Sequence, residues 1–511
     1  MRKKSVGKNY ILNIIYQLFT ILVPLVTASY LSKVLGADGI GQYSYTYSLI
    51  NYFVLFAALG FGYYGEREIA NRQNDKKAQS ILFWEIIIVR LFSVGISLSI
   101  NCILATIGVY RTYTQLMWWW SLLIISQEFD ISFLFQGNED FLSIVIRTVI
   151  IKTLSIVLIF TLVKDSSQVW LYIICFAGST LLGNISIWLS LPSCLVRIKL
   201  SELHPCKLII PTLRLFIPTI AISLYTVLDK TLIGLIIQDT YTVFENVEID
   251  GVEQTIEVVK KYSDLENGYY EQADKIINLC KTITCAMGTV MIPRNSNAFA
   301  NNNTIQLKNN IYFTTNYVWF LGIPIMLGII VLAPNLVPWF FGASFSKSIS
   351  LIQLMSPLIL LVGFSNVFGL QYLVPTKRDT KFTISILIGS LSNVALNVVL
   401  IYYFWSWGAV IASLIAEALV TITMALIVRK ELSIKKIIIQ SWKYWVAGIV
   451  MFGVGYVTQL FLSSSIINSI ILILECVFVY LIVLIVEKDD FLKMVFKKAI
   501  AQLSKIKRKK Q

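Results

Sequence analysis

The sequence predicts an all-α integral membrane protein of about fourteen transmembrane helices, and three observations predict it. Hydrophobic residues fill 56% of the 511 positions and charged residues only 14%, with a mean hydropathy of +0.72, whereas a water-soluble domain carries about 25% charge. Fourteen spans of roughly 20 apolar residues would need about 280, close to the apolar content of the chain. The apolar stretches are long and continuous rather than short alternations between turns, which excludes a transmembrane barrel.

Apolar runs bounded by charge or turn residues lie at about 10–32, 40–64, 80–108, 115–136, 141–163, 168–192, 209–236, 276–293, 311–333, 348–373, 381–404, 407–428, 439–462 and 466–486. The first is too long for the apolar part of a signal peptide and has no small-residue cleavage site, so it reads as a span. Charge in the connections tests this independently, because cations concentrate on the cytoplasmic side. One side receives Arg2, Lys3, Lys4 and Lys8; then Arg67, Arg72, Lys76 and Lys77; then Arg197, Lys199 and Lys207. The same side takes Arg294 and Lys308, Lys377, Arg378 and Lys381, and Arg429, Lys430, Lys435 and Lys436, and ends in a tail rich in lysine from Lys488 to Lys510. The other side has Lys33, Arg111, Lys164, Lys347 and three lysines in one acidic loop. Both termini are therefore expected in the cytoplasm. The connection 137–140 carries Glu139 and Asp140 without a cation, and acids contribute little to topology.

The net charge of +14 could suggest nucleic acid, but a basic run directly after a last span meets anionic lipid headgroups, so no nucleic-acid partner is expected. Seven cysteines without a CxxC pair indicate neither a disulfide framework nor a zinc site. The single His204 stands beside Pro205 in a cytoplasmic loop, no P-loop is present, and no catalytic motif or cofactor signature is found. The aromatic run Trp118-Trp119-Trp120 reads as an interfacial belt. Residues 238–275, with ten acids against three lysines, are the only sizeable extramembrane segment, read as an extracellular loop too short for a catalytic domain.

Charges inside spans carry the functional reading, since each costs about 2.5 to 3.5 kcal/mol at mid-helix on insertion scales. They are Glu85, Arg90, Glu128, Asp130, Arg147, Lys152, Asp229, Lys230, Lys281, Glu417 and Glu475. Glu128, near an interface, reads as a snorkelling residue. Glu85 and Arg90 are five apart, about 140° around one helix, and do not readily neutralise each other; the same holds for Arg147 and Lys152. Arg90, Arg147, Lys152, Lys230 and Lys281 then form a staircase of cations that would line a cavity selective for anions. Alternatively they are bundle glue, Arg90 pairing with Asp130, Lys152 with another acid and Lys230 with its neighbour Asp229. Pro24, Pro218, Pro324 and Pro357 fall within spans and permit kinks.

Gly39-Ile-Gly41-Gln-Tyr43 and Glu266-Asn-Gly268-Tyr-Tyr270 both place Gly-x-Tyr before an inward-running helix. Either this marks a duplication, with spans one to six and seven to twelve as parallel lobes, or glycine and tyrosine simply favour interfacial turns.

From Asp130 the chain resembles Wzx-type polysaccharide flippases of the multidrug/oligosaccharidyl-lipid/polysaccharide exporter superfamily. The residues that carry the resemblance are Asp130-Ile-Ser-Phe-Leu-Phe-Gln136-Gly137-Asn-Glu139, Val163-Lys164 and Trp170-Leu-Tyr172, then Leu215-Phe216-Ile-Pro218 with Tyr225 and Asp229-Lys230. Gly268-Tyr-Tyr270-Glu-Gln-Ala-Asp-Lys275 and Gly288-Thr-Val-Met-Ile-Pro293-Arg294 complete the set. Phe133 stands where that family commonly has Trp, and 243–264 looks like an insertion.

The resemblance implies a MATE- and MurJ-like V-shaped pair of six-helix lobes: 1–200, and 201–436 with the insertion at about 238–275. Two further helices at 437–487 and a basic cytoplasmic tail at 488–511 follow. It also implies alternating access and transfer of an undecaprenyl-diphosphate-linked oligosaccharide to the outer leaflet, with polymerase and assembly proteins of the same pathway as further partners. Arg90, Arg147 and Lys152 would hold the diphosphate and first sugars, the tail would stay in the bilayer beside spans one and eight, and Lys281 would receive the headgroup. Glu85, Asp130 and Asp229 could carry a coupled proton or sodium ion, or be fixed ion pairs. A multidrug antiporter of the same superfamily, a lipid II flippase and a membrane polymerase or glycosyltransferase are the rival readings.

Overall fold

The computed structural model describes residues 6–73, 75–138, 140–193, 195–249, 252–494 and 497. Arg2, Lys3, Lys4, Glu139, Cys194 and the basic tail beyond Lys497 lie outside the described residues.

Helices dominate. In chain order they are α1 (Val6–Ala58), α2 (Phe61–Asn71), α3 (Lys76–Thr106), α4 (Thr114–Phe129), α5 (Ser132–Gly137), α6 (Phe141–Leu162), α7 (Val169–Ser186) and α8 (Ile209–Ile236). A two-stranded antiparallel hairpin follows, β1 (Thr240–Ile249) and β2 (Val252–Lys261), in register from Thr240 opposite Lys261 to Ile249 opposite Val252. Then come α9 (Tyr262–Cys285), α10 (Met287–Ala300), α11 (Thr304–Phe340), α12 (Ser346–Met355), α13 (Leu358–Phe368), α14 (Asp379–Val428), α15 (Ile434–Ile439), α16 (Trp442–Phe461) and α17 (Ile466–Val486).

Among the described residues nine helices are long and apolar enough to cross a membrane, and the bent stretch through α12 and α13 can supply a tenth crossing. Two of these helices break, which brings the possible crossings to twelve, and the two remaining expected spans fall on α4 with α5 and on α8, so fourteen is consistent with the fold. α1 kinks at Gly36 (φ 68°), and α14 at Trp405 (φ 56°, ψ −131°). Within α14 the two halves run back along each other: Asn393 Nδ2 donates to Ser413 Oγ at 3.3 Å, and a Cβ on Gly389 would lie 2.2 Å from Val420. Arg378, before α14, closes the two ends through a forked contact on Glu431, after it, at 2.8 and 2.6 Å.

The chain divides into two compact units, Met1–Glu271 and Gln272–Gln511. In the first, α1 packs on α3, α4, α6 and α8, and α4 on α7. Its core includes Phe61, Phe83, Ile86, Ile131, Phe133 and Leu134, all at most 1% exposed. In the second, α11 is central, touching α13, α16 and α17, so the two C-terminal helices pack on it.

The acidic segment differs most from the sequence reading. Residues expected to form a loop to 275 are a hairpin only to Lys261, and from Tyr262 they are helical. Asp264, Glu266, Asn267, Glu271 and Gln272 are all buried there. Pro24 and Pro324 lie inside helices as expected, Pro357 sits at the break between α12 and α13, and the side chain of Pro218 lies outside the described residues. Trp118 and Trp119 are exposed as a belt requires, but Trp120 is fully buried and donates Nε1 to Thr46 Oγ1 at 2.9 Å.

Candidate functional site

A cation in an apolar span needs a partner or a wet cavity, and the five candidates divide on that question. Arg90, on α3, is 4% exposed. Its Nη1 donates to the backbone carbonyl of Asp130 at 2.6 Å and Nη2 to that of Glu128 at 2.5 Å, while Nε lies 3.9 Å from a Glu128 carboxylate oxygen. The guanidinium also lies 5.9 Å from the centre of the Phe133 ring. The fork therefore closes the C-terminus of α4, whose last carbonyls have no helical partner and carry the negative end of the helix dipole. Arg90 thus engages Asp130, its expected partner, through that residue's backbone carbonyl, with the carboxylate of Glu128, expected to snorkel, as a further acidic neighbour.

The Asp130 carboxylate is used elsewhere, accepting from the Ser132 amide at 3.0 Å at the start of α5. That start seats the segment carrying the family resemblance. A Cβ on Gly65 would stand 2.6 Å from the Phe133 ring, and one on Gly137 would stand 2.8 Å from the Glu66 carbonyl. Gln73 Nε2 donates to the Gly137 carbonyl at 2.7 Å. Glu85, the third acid of this region, accepts from the His204 amide at 2.7 Å.

Lys230, on α8, pairs with Glu271 of α9 at 2.6 Å. Glu271 also accepts from Ser44 Oγ of α1 at 3.0 Å. Asp229, 4% exposed, accepts from Tyr270 Oη at 2.5 Å, and next to it Thr231 Oγ1 donates to Ser48 Oγ at 2.9 Å. Adjacent residues on α8 thus engage adjacent residues on α9, one pair by a hydrogen bond and the other by an ion pair. Sequence reasoning missed Glu271, Tyr270 and Ser44 because an acid-rich run looked like a loop. The signal was present: Ser263, Asn267, Tyr270 and Glu271 recur at i, i+4, i+7 and i+8, the spacing of one helical face.

On α6, Arg147 and Lys152 are both half-buried. Arg147 engages neighbouring groups, although its Nη1 is buried without a hydrogen bond. Lys152 shares its face with the buried Ser155 and Ile159, and among the described residues it makes no hydrogen bond or ion pair. Lys281, half-buried on α9 in the second unit, likewise has none. It follows Cys280, which lines an apolar cavity of about 440 Å³ together with Pro324, Gly328, Met451, Cys476 and Tyr480.

Among the described residues no group of His, Cys, Asp and Glu side chains is arranged to hold a metal ion, and six cysteines are free thiols.

Known proteins agree with this architecture. Residues 6–299 match the family described as "Polysaccharide biosynthesis protein", and residues 252–350 match a second family of the same description. A protein of Escherichia coli (strain K12) whose name assigns it to O-antigen transport is 22% identical over 436 residues, covering 84% of this chain and 98% of that protein. A protein of Shigella dysenteriae with the same name is 23% identical, covering 82% and 98%. Among solved structures, the lipid II flippase MurJ in an inward closed conformation superposes with a TM-score of 0.68 at 17% identity, over 96% of this chain and all of that one. An inward-facing multidrug resistance MATE family transporter gives 0.60 at 14% identity, over 80% and 94%. The expected fold class and the Wzx resemblance are thereby borne out at the level of fold and family: the chain belongs to the polysaccharide biosynthesis protein family and has the fold of the multidrug/oligosaccharidyl-lipid/polysaccharide exporter superfamily.

Proposed function

We infer that the protein is a flippase for lipid-linked oligosaccharides, carrying an undecaprenyl-diphosphate-linked repeat unit from the inner to the outer leaflet of a bacterial cytoplasmic membrane. Its relatives are named for O-antigen transport and for flipping lipid II. A diphosphate does not cross hydrocarbon unaided, since an unpaired ion there costs tens of kcal/mol in the idealised limit, whereas a polyprenyl tail prefers lipid. The carrier has only to shelter the headgroup.

The observation that carries the reading is the pair of intramembrane lysines, Lys152 and Lys281, that make no hydrogen bond or ion pair among the described residues. They stand apart from Arg90 and Lys230, which are committed to protein groups. A cation held half-buried and uncompensated is stabilised when an anion arrives. Lys152, with Arg147 beside it on α6, is the proposed diphosphate contact in the first unit, and Lys281 its counterpart in the second. The apolar cavity adjoining Cys280 suits an isoprenoid chain better than any polar ligand.

The test is to deplete the protein in its host and ask on which leaflet the lipid-linked sugar accumulates. Accumulation on the inner leaflet, relieved by the native chain and not by Lys152→Gln or Lys281→Gln expressed at the same level, is the expected outcome. An unchanged leaflet distribution with export of lipophilic cations by the purified protein would favour the multidrug reading.

A further inference from the structure

The hairpin of β1 and β2 stands directly between α8 and α9, with three residues before it and none after it, so any displacement of the hairpin is passed to both helices. Its base is tied to three other segments. Tyr241 Oη donates to Asp38 Oδ1 at 2.7 Å and Lys260 Nζ lies 3.6 Å from Asp38 Oδ2; Asp38 is two residues past the kink at Gly36. Lys261 Nζ donates to Thr112 Oγ1 at 3.1 Å and stands 4.5 Å from the centre of the Tyr113 ring. Tyr113 Oη in turn donates to Asp264 Oδ1 at 2.7 Å in the first turn of α9. The α1 kink, the loop between α3 and α4, and the start of α9 are therefore all held at one place, on the side that the charge pattern assigns to the outside.

Directly beneath these contacts α1 and α9 cross with their backbones touching. A Cβ on Gly41 would stand 1.6 Å from the Asp264 carbonyl, and one on Gly268 would stand 2.0 Å from the Ala37 carbonyl. Each glycine thus abuts the residue four positions before the other glycine, and both belong to the Gly-x-Tyr pair noted in the sequence. Two helices in backbone contact leave no room for a headgroup between them. The close approach depends on the two glycines, while the hairpin contacts above it are side-chain bonds at partly exposed positions that can be broken and remade.

We propose that the hairpin is a clasp that holds the outer ends of α1, α9 and the α3–α4 loop together, and that it releases them when the passage opens outward. This rests on the flippase reading for the passage itself; the clasp is a statement about what keeps it shut.

The experiment uses the full chain carrying Ser48→Cys, at a fully buried position of α1 beyond the crossing, and a membrane-impermeant maleimide applied to intact cells. The chain without Ser48→Cys is labelled in parallel to subtract the native thiols. Replacing residues 240–261, which include Tyr241, Lys260 and Lys261, by a short Gly-Ser linker should speed labelling of the introduced thiol about tenfold, as expected when a closed state loses its advantage over an open one. Asp38→Asn combined with Tyr241→Phe should do the same, and serves if the shortened chain does not fold. Equal labelling rates in the native and the folded double variant, matched in melting temperature, would overturn the clasp. If labelling rises but the leaflet distribution of lipid-linked sugar does not depend on the chain, the clasp stands and the substrate reading falls. If that distribution depends on the chain and labelling does not change, the clasp alone falls.

Discussion

Within α3 the Arg90 fork reaches the last carbonyls of α4, whereas on α6 Lys152 reaches no protein acceptor among the described residues. Breaking a buried charged pair costs about 3–5 kcal/mol, so Arg90→Ala should lower the melting temperature of the solubilised protein and its level in the membrane. Arg90→Lys should recover little of this, because an ammonium cannot span two carbonyls as a planar fork does. Lys152→Gln removes no hydrogen bond or ion pair among the described residues and should leave the melting temperature nearly unchanged while impairing transport; differential scanning of the three variants checks the contrast. Outside the spans, the Arg378 fork holds the Glu431 carboxyl below its ordinary value. A carboxyl lowered in the folded state contributes stability above its unfolded value, near 4.3, and that contribution is lost as pH falls through the lower folded value. Glu431 is 41% exposed, so the effect is small, about 0.5 kcal/mol. It should appear as a melting difference between native protein and Glu431→Gln at neutral pH that vanishes on acidification below about pH 4. At this scale the sequence displayed which charges are buried in apolar surroundings but not what they touch, because Glu128, Glu271 and Ser44 lie on other helices. Glu271 was further hidden by the acids around it, which lower the mean hydropathy of a segment that is nonetheless helical.

Among the elements, hydropathy locates spans well because burial in lipid demands length, and it locates their ends poorly because turns made within an apolar run leave no polar mark. The break at Trp405 sits in Tyr402-Tyr-Phe-Trp405-Ser-Trp407, which contains no glycine or proline. Nothing local announces a positive φ there. The kink at Gly36 is more legible, since glycine adopts φ 68° without strain. The short α5 was read as the end of a span, although Asp130 and Ser132 form a turn that starts a new helix. Its seat on α2 yields a paired prediction. Gly137→Ala pushes a methyl into the Glu66 carbonyl and the Ile69 side chain, an overpacking that costs about 1–3 kcal/mol. Gly62→Ala, on α2, meets nothing within 4 Å and should be neutral or stabilising by up to about 1 kcal/mol. Opposite shifts in melting temperature check both.

For the molecule as a whole, charge asymmetry carries orientation and apolar content carries span number, and both follow from the cost of moving polar groups through a bilayer. The proposed orientation predicts that a reporter fused after residue 511 is active only in the cytoplasm, while one inserted between residues 249 and 252 is active only outside. Two reporters active on the same side would require an even number of crossings between these points, and the two activities exchanged would mean the opposite orientation. The expected lobes and the observed compact units differ in where they divide the chain, at 200 and at 271 respectively. The difference arises because α8 and the first turns of α9 pack with the N-terminal helices through side chains that the linear order does not reveal.

The reciprocal fit of Gly41 and Gly268 has an evolutionary corollary. Where two glycines of one chain meet in this way, neither can drift alone, since any bulk gained at one glycine is met by main-chain atoms at the other site, which no side-chain change can trim. The two motifs should therefore diverge at their flanks while their small residues stay locked as a pair.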